Sequence, residues 1–333
     1  MKRREFIAGV CGAAAAPASC WPLVARAQQD RRGRRLGVMM PSVEADPVPQ
    51  SYAAALRQRL QELGWIEGRN LRVDLRFDAG DLARVRRNAE ELLGLAPDVM
   101  VVTTAAATHA VQELTQTIPI VFVQVGDPVA SRVVGSIARP GGNTTGITNL
   151  FASIAGKWLE LLKEAAPHVT RVALIFNPEF RVTEPYLTEI EAAAAVLAIK
   201  AIRTPVWRGP PLERAIDAFG AEANGGLIMV PPPPSDADRG LILRLAKLHG
   251  LPAIFSSRLY AIEGALISYG PDSLDLYRSA ASYVDRILRG ARPSELPVQF
   301  PTKFDLVINL KTAKAIGLVI PPTLRARADE VIE

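Results

Sequence analysis

The 333-residue sequence is poorest in the residues that carry redox and metal chemistry. Its two cysteines, Cys11 and Cys20, both fall near the N-terminus, and its three histidines, His109, His168 and His249, are far apart. A chain cut after residue 27 holds no cysteine, which excludes a disulfide framework, a thiol nucleophile and a thiolate metal site. The histidine spacing fits no zinc motif. Catalytic signatures are also missing. There is no G-x-S-x-G elbow, no G-x-x-x-x-G-K-[ST] phosphate loop and no G-x-G-x-x-G after the first strand, and no carboxylate pair is spaced for acid–base work. No metal or other cofactor is implied. Beyond residue 27 no apolar run reaches the 18 or so residues that a membrane span needs.

Net positive charge is lacking in the body as well. The formal charge is +5, but residues 1–27 carry +3 (Lys2, Arg3, Arg4 and Arg26 against Glu5) and residues 28–35 carry +3 (Arg31, Arg32, Arg34 and Arg35 against Asp30). The remainder is near −1, so a nucleic-acid footprint is not supported and no nucleic-acid partner is expected. With hydrophobic residues at 49% and charged residues at 22%, the chain has material for a packed core, and its length suits two domains.

The basic N-terminus reads as an address. Arg3-Arg4-Glu5-Phe6-Ile7 is a twin-arginine pattern, a weakly apolar Ala/Gly-rich run follows, and Ala25-Arg26-Ala27 offers small residues to a signal peptidase. The expectation is a signal peptide over 1–27, a linker over 28–34 and a mature chain exported to the periplasm. The alternatives are lipidation at Cys20, which Pro17 disfavours, and a buried N-terminal helix, which Gly9, Gly12 and Pro17 weaken.

From Leu36 onward short apolar runs alternate with amphipathic segments. Strands are expected at 36–40, 71–77, 98–102 and 119–123, with helices over 50–63, 81–95 and 105–116 between them. Near Gly146–Asn149 the pattern restarts. A helix over 153–166 leads to strands at 171–176, 200–206, 226–230, 252–255 and 265–268, interleaved with helices over 184–197, 212–221 and 236–249. A helix over 272–288, a strand at 304–309 and a short helix at 311–316 complete the chain. Such alternation implies parallel βαβ units, here two α/β halves of similar build. Ligands of open parallel sheets bind beyond the carboxyl ends of the strands, so two facing sheets make a hinged clamp.

The strand-end loops hold the candidate contacts, each with a plainer reading. Asp127, in Gly126-Asp127-Pro128, can pair with a ligand ammonium or hydroxyl, or cap the next turn. Thr103 and Thr104 can hold a carboxylate at a helix start or simply cap that helix. Tyr269 can cover a ligand or lie on the surface. Trp158, on an apolar helix face, reads as core, Arg139–Asn143 as a structural turn, and Asp236 and Asp238 as caps. Pro231–Pro234 must leave its sheet as a rigid extended segment.

Together these stretches resemble the periplasmic substrate-binding proteins of the ABC-type uptake family labelled tryptophan/tyrosine transport. The likeness rests on the leader Arg3–Ile7 with Ala25–Gln29, on Leu63–Asn70, on Ile118–Val123 with Gly126–Val129, Arg139–Asn143 and Thr145–Ile147, and on Leu296–Gly317 with Pro321-Pro322 and Arg327–Glu333. The resemblance implies a type I periplasmic-binding fold, two doubly wound parallel-sheet lobes joined by a hinge with three crossovers. Lobe 1 would hold 35–147 and 262–296, and lobe 2 would hold 148–261 and 297–333. Ligand contacts carried over from the family fall on Ser42, Thr103, Thr104, Asp127, Asn177, Ser256 and Tyr269. An amino-acid ligand would set its carboxylate on Thr103 and Thr104 and its ammonium on Asp127.

The implied role is that of a non-enzymatic, exported, monomeric solute-binding protein. It would hand an amino acid or small aromatic or carboxylate compound to an ABC permease in the inner membrane. A ligand sensor serving a membrane receptor is the alternative, and an enzyme on a doubly wound fold is a third reading. A cytoplasmic repressor is disfavoured, since an export signal and no helix-turn-helix precedes Leu36.

Overall fold

The computed structural model describes residues 33–149, 152–231 and 236–333. The twin-arginine pattern, the cleavage site after Ala27, both cysteines and Pro232–Pro234 lie outside the described residues.

The first sheet contains β1 (Arg34–Met40), β2 (Leu71–Phe77), β3 (Val99–Thr103), β4 (Ile120–Val125) and β5 (Thr144–Thr148). Helices α1 (Pro47–Glu62), α2 (Leu82–Gly94) and α3 (Ala105–Leu114) connect the first four strands. The strand order is β2-β1-β3-β4-β5 and every pairing is parallel. The fully buried run Val99–Thr103 explains why: with helices on both faces, a central strand can be apolar throughout. The helix starts are set by acids. Asp46 accepts from the Val48 N–H at 2.9 Å, and Asp81 accepts from Ala83 and Arg84 at 2.8 and 3.1 Å.

The second sheet has seven strands, built from β6 (Arg171–Ile175), β7 (Lys200–Thr204), β8 (Gly225–Met229), β9 (Ala253–Phe255) and β10 (Ile267–Pro271) with the later β11 (Phe304–Asn309) and β12 (Glu330–Ile332). Its helices are α4 (Ala155–Ala165), α5 (Glu184–Val196), α6 (Gly209–Gly220), α7 (Asp236–Leu248) and α8 (Arg258–Glu263), while α9 (Ser273–Leu288) returns to the first sheet. There Leu276, Tyr277, Ala280 and Val284 join a core with Leu36, Val38, Leu56 and Val121. The chain ends in β11, α10 (Leu310–Ala315), α11 (Pro322–Ala326) and β12. The order is β12-β11-β10-β9-β8-β6-β7. The strand β5, helices α8 and α11 and strand β12 add to the expected elements.

Two features differ from the expectation. β11 runs antiparallel to β10, with Ile267 opposite Ile308 and Tyr269 opposite Leu306. The chain re-enters this sheet at the end where β10 leaves it, so it must run back along its neighbour. β10 itself belongs to the seven-stranded sheet, so the return to the first lobe falls at Pro271–Ser273 rather than at residue 262.

The chain passes between the sheets in three segments, one leaving β5 at Thr148, the others at 271–273 and 299–304. They are bonded to one another. Thr148 N–H donates to Gln299 O at 2.9 Å, and Gln299 N–H donates to Gly146 O at 3.0 Å. Asp272 N–H donates to Lys303 O at 3.0 Å, while the Lys303 ammonium lies 2.8 Å from the Asp272 carboxylate.

Candidate ligand cleft

Between the sheets, at the carboxyl ends of their strands, lies a cleft of about 420 Å³. Its first-lobe wall is Tyr52 of α1, Thr103 and Thr104 after β3, Gln124 and Gly126 around the end of β4, and Ser273 and Leu276 of α9. Across from these stand Asn149 of the first crossing, Val182, Tyr186 of α5, Pro231 after β8, Ser256 and Ser257 after β9, and Pro271. None of these lining residues is Asp, Glu, Lys, Arg or His. Among the described residues the cleft therefore offers hydroxyls, amides and rings, and no formal charge.

Two tyrosines give it shape. Tyr52 stacks on Tyr277 with centroids 5.0 Å apart, and Tyr186 stacks on Trp158 at 5.8 Å. Each backing ring is itself held in place. The Tyr277 hydroxyl lies 2.7 Å from Thr103 Oγ1, and the Trp158 indole N–H donates to Tyr269 O at 2.7 Å. Burial pushes the Tyr52 and Tyr277 hydroxyls above the ordinary phenol range, so both stay neutral at physiological pH. Gln124 Nε2 donates to Ser273 Oγ at 3.1 Å. The Oδ1 of Asn149 is buried with no hydrogen-bond partner, an acceptor left open beside the cleft.

The backbone on the first-lobe side is strained. Thr104 has φ 82° and ψ 153°, a region almost reserved for glycine, yet it carries a branched side chain. Gln124 (φ 58°) and Ser42 (φ 78°) are also left-handed.

Of the seven expected contact residues, the cleft brings together Thr103, Thr104 and Ser256. The other four stand elsewhere. Asp127 accepts from the Val129 and Ala130 N–H groups at 3.1 and 2.9 Å, so its carboxylate caps the following turn outside the cleft lining. Ser42 lines a separate recess of about 600 Å³ and donates to Asp46 Oδ2 at 2.6 Å. Asn177 is buried, its Oδ1 accepting from Glu179 N–H at 2.9 Å and its Nδ2 unpartnered. Tyr269 turns its ring into the second lobe's core against Phe304, centroids 6.0 Å apart. Thr104 also caps α3, its Oγ1 accepting from Ala107 N–H at 3.3 Å. Trp158 is core, as its helix face implied, and Asp238 accepts from Gly209 N–H at 3.0 Å, at the start of a neighbouring helix.

The sequence reading missed Tyr52, Gln124, Asn149, Tyr186 and Ser273. The usable signal was position: Tyr52 and Tyr186 each follow the first strand of a lobe, early in the next helix.

A family model described as ABC transporter substrate binding protein matches residues 41–332. A tyrosine-binding protein of Clostridioides difficile (strain R20291) is 24% identical over 263 residues, 78% of this chain and 74% of that protein. Among solved structures, a conserved domain protein from Vibrio cholerae superposes with a TM-score of 0.75 at 28% identity, covering 90% of this chain and all of that one. An ABC domain from Streptococcus pneumonia in complex with L-Trp gives 0.76 at 20% identity, again over 90% of this chain and 100% of its own. These neighbours share the two-lobed periplasmic-binding architecture.

Proposed function

The chain belongs to the ABC transporter substrate-binding protein family, and on that premise we propose that it captures an aromatic amino acid of the tryptophan/tyrosine class between its lobes. One observation carries the ligand class. An uncharged cleft is walled from each lobe by a tyrosine with a second aromatic ring behind it, a rigid surface suited to a flat ring. The Clostridioides relative named for tyrosine and the Streptococcus neighbour solved with L-Trp support the same class. In this reading residues 1–27 are a twin-arginine leader, the mature chain works in the periplasm, and it delivers its ligand to an ABC permease of the inner membrane. No helix among the described residues is long and apolar enough to cross a membrane.

Calorimetry on the purified protein with L-tryptophan, L-tyrosine, L-phenylalanine, L-leucine and L-glutamate tests the ligand class. Binding is expected for the aromatic members and not for glutamate. Tyr186→Ala should weaken it about tenfold, near 1.4 kcal/mol, as loss of a stacked ring does. Leucine binding as tightly as every aromatic member, or no binding by any aromatic member, overturns the reading.

A further inference from the structure

The described lining of the cleft suits a ring and carries no charge to meet an amino acid's two, and a charge taken out of water without a counter-charge is costly. The missing charges lie next door. A second cavity, of about 440 Å³, adjoins the cleft and shares Tyr52, Ser257, Pro271 and Ser273 with it. Its charged lining is Arg258, Asp272, Arg278, Lys303 and Asp305.

The pairing within this chamber is incomplete for both signs. Arg258 is matched by Glu330, with Nε 2.6 Å from Oε2. Lys303 serves two carboxylates at once, Asp272 at 2.8 Å and Asp305 at 3.7 Å. One ammonium for two carboxylates leaves a negative charge over, on the more distant Asp305. Arg278 lines the same chamber from α9 and has no ion-pair partner among the described residues. One unmatched charge of each sign is the complement of a zwitterion.

We propose that this side chamber seats the head of the ligand, with its carboxylate on the Arg278 guanidinium and its ammonium on Asp305, while the ring passes Tyr52 into the neutral cleft. The inference rests on the amino-acid reading above. It moves the carboxylate from Thr103 and Thr104 and the ammonium from Asp127, whose carboxylate is occupied as a cap. The state of Asp305 agrees: burial, then the negative charge of Asp272, hold its carboxyl above the ordinary range, and Lys303 offsets only part of this. A cation arriving there would be met by a site short of positive charge.

The test is calorimetry on the purified protein with three probes: L-tryptophan, tryptamine, which lacks the carboxylate, and indole-3-propionate, which lacks the ammonium. Each truncated probe should bind wild type about tenfold or more weakly than L-tryptophan. Arg278→Gln should cost L-tryptophan and indole-3-propionate about tenfold or more while leaving tryptamine within about threefold. Asp305→Asn should do the converse. If wild type binds L-tryptophan and both variants match it within about threefold, the head-group assignment falls and the aromatic reading stands. If no probe and no aromatic amino acid binds wild type, both fall together. Should a variant not fold, as judged by its melting transition, the wild-type ranking decides alone: three probes of equal affinity overturn the assignment.

Discussion

The two lobes build the same aromatic device and hold it differently. In each, the first helix after the first strand carries a tyrosine to the cleft, Tyr52 on α1 and Tyr186 on α5, and a neighbouring helix supplies the ring behind it, Tyr277 on α9 and Trp158 on α4. The first lobe sets its strand ends in strained backbone, at Ser42, Thr104 and Gln124. Among the described residues, the second lobe's cleft-facing strand ends use ordinary backbone, as at Ser257, which starts α8 with φ −136° and ψ 138°. Strain of about 1–3 kcal/mol per residue persists only where the surroundings over-determine it, commonly at binding sites. The first lobe therefore presents a preset surface, and the second a relaxed one.

The largest expected effect tests how tightly each lobe holds the strand that leads into a crossing. A side chain at Gly146 of β5 would collide with the Phe122 backbone, and one at Gly270 of β10 with the Ser256 carbonyl beside the cleft. Gly146→Ala and Gly270→Ala should each cost about 3 kcal/mol or more in denaturant unfolding, since backbone, unlike a side-chain tip, cannot step aside. A loss under about 1 kcal/mol at either site would show that its strand pairing is loose.

A smaller effect sharpens the difference in strain. Thr104→Gly should stabilise the unliganded chain by about 1 kcal/mol, since relief of the backbone outweighs one long capping bond. Ser257→Gly, at relaxed backbone, should lose a few tenths of a kcal/mol. If both variants lose stability equally, the contrast between the lobes is not one of strain.

The smallest effect is electrostatic and sits where the lobes meet. Asp305 has a folded carboxyl above its unfolded value, so its ionisation opposes folding at neutral pH. That penalty vanishes as pH falls through the raised value toward about 4. Asp305→Asn should therefore slightly raise the melting temperature of the unliganded protein at pH 7 and leave it unchanged near pH 4. Asp272 is the opposite case. Burial resists its ionisation, but Lys303 and the Asp275 and Leu274 N–H groups hold its carboxyl below the ordinary range. Its contribution is present above about 4 and is lost as pH falls through the lowered value. A melting temperature for Asp305→Asn that falls at pH 7 would remove the charge imbalance on which the contrast rests.

The fold was legible because buried parallel strands leave uninterrupted apolar runs, such as Val99–Val102 and Val172–Ile175, with capped helices between them. β5 was hidden because Thr144–Thr148 follows a turn cluster and carries a glycine, which reads as loop until Phe122 is seen pressed against it. The direction of β11 was hidden because a crossing's path is a tertiary fact. The site was harder to read. Asp127 carries the same local pattern whether it caps a turn or binds a ligand, and capping wins. Tyr269 follows the strand alternation inward to Phe304. Tyr52 and Tyr186 sit at helical spacing that reads as core, and each does stack on a core ring. Their role depends on the second lobe standing opposite, which no local window contains.

The bonds among the three crossing segments have a mechanical consequence. Gln299 is laced to Gly146 and Thr148, and Lys303 to Asp272, so no crossing can lengthen or slip without tearing the one beside it. A sheet-like strap of this kind folds along its width but resists shear. Lacing of this kind favours a change in the angle between the lobes over a slide of one past the other.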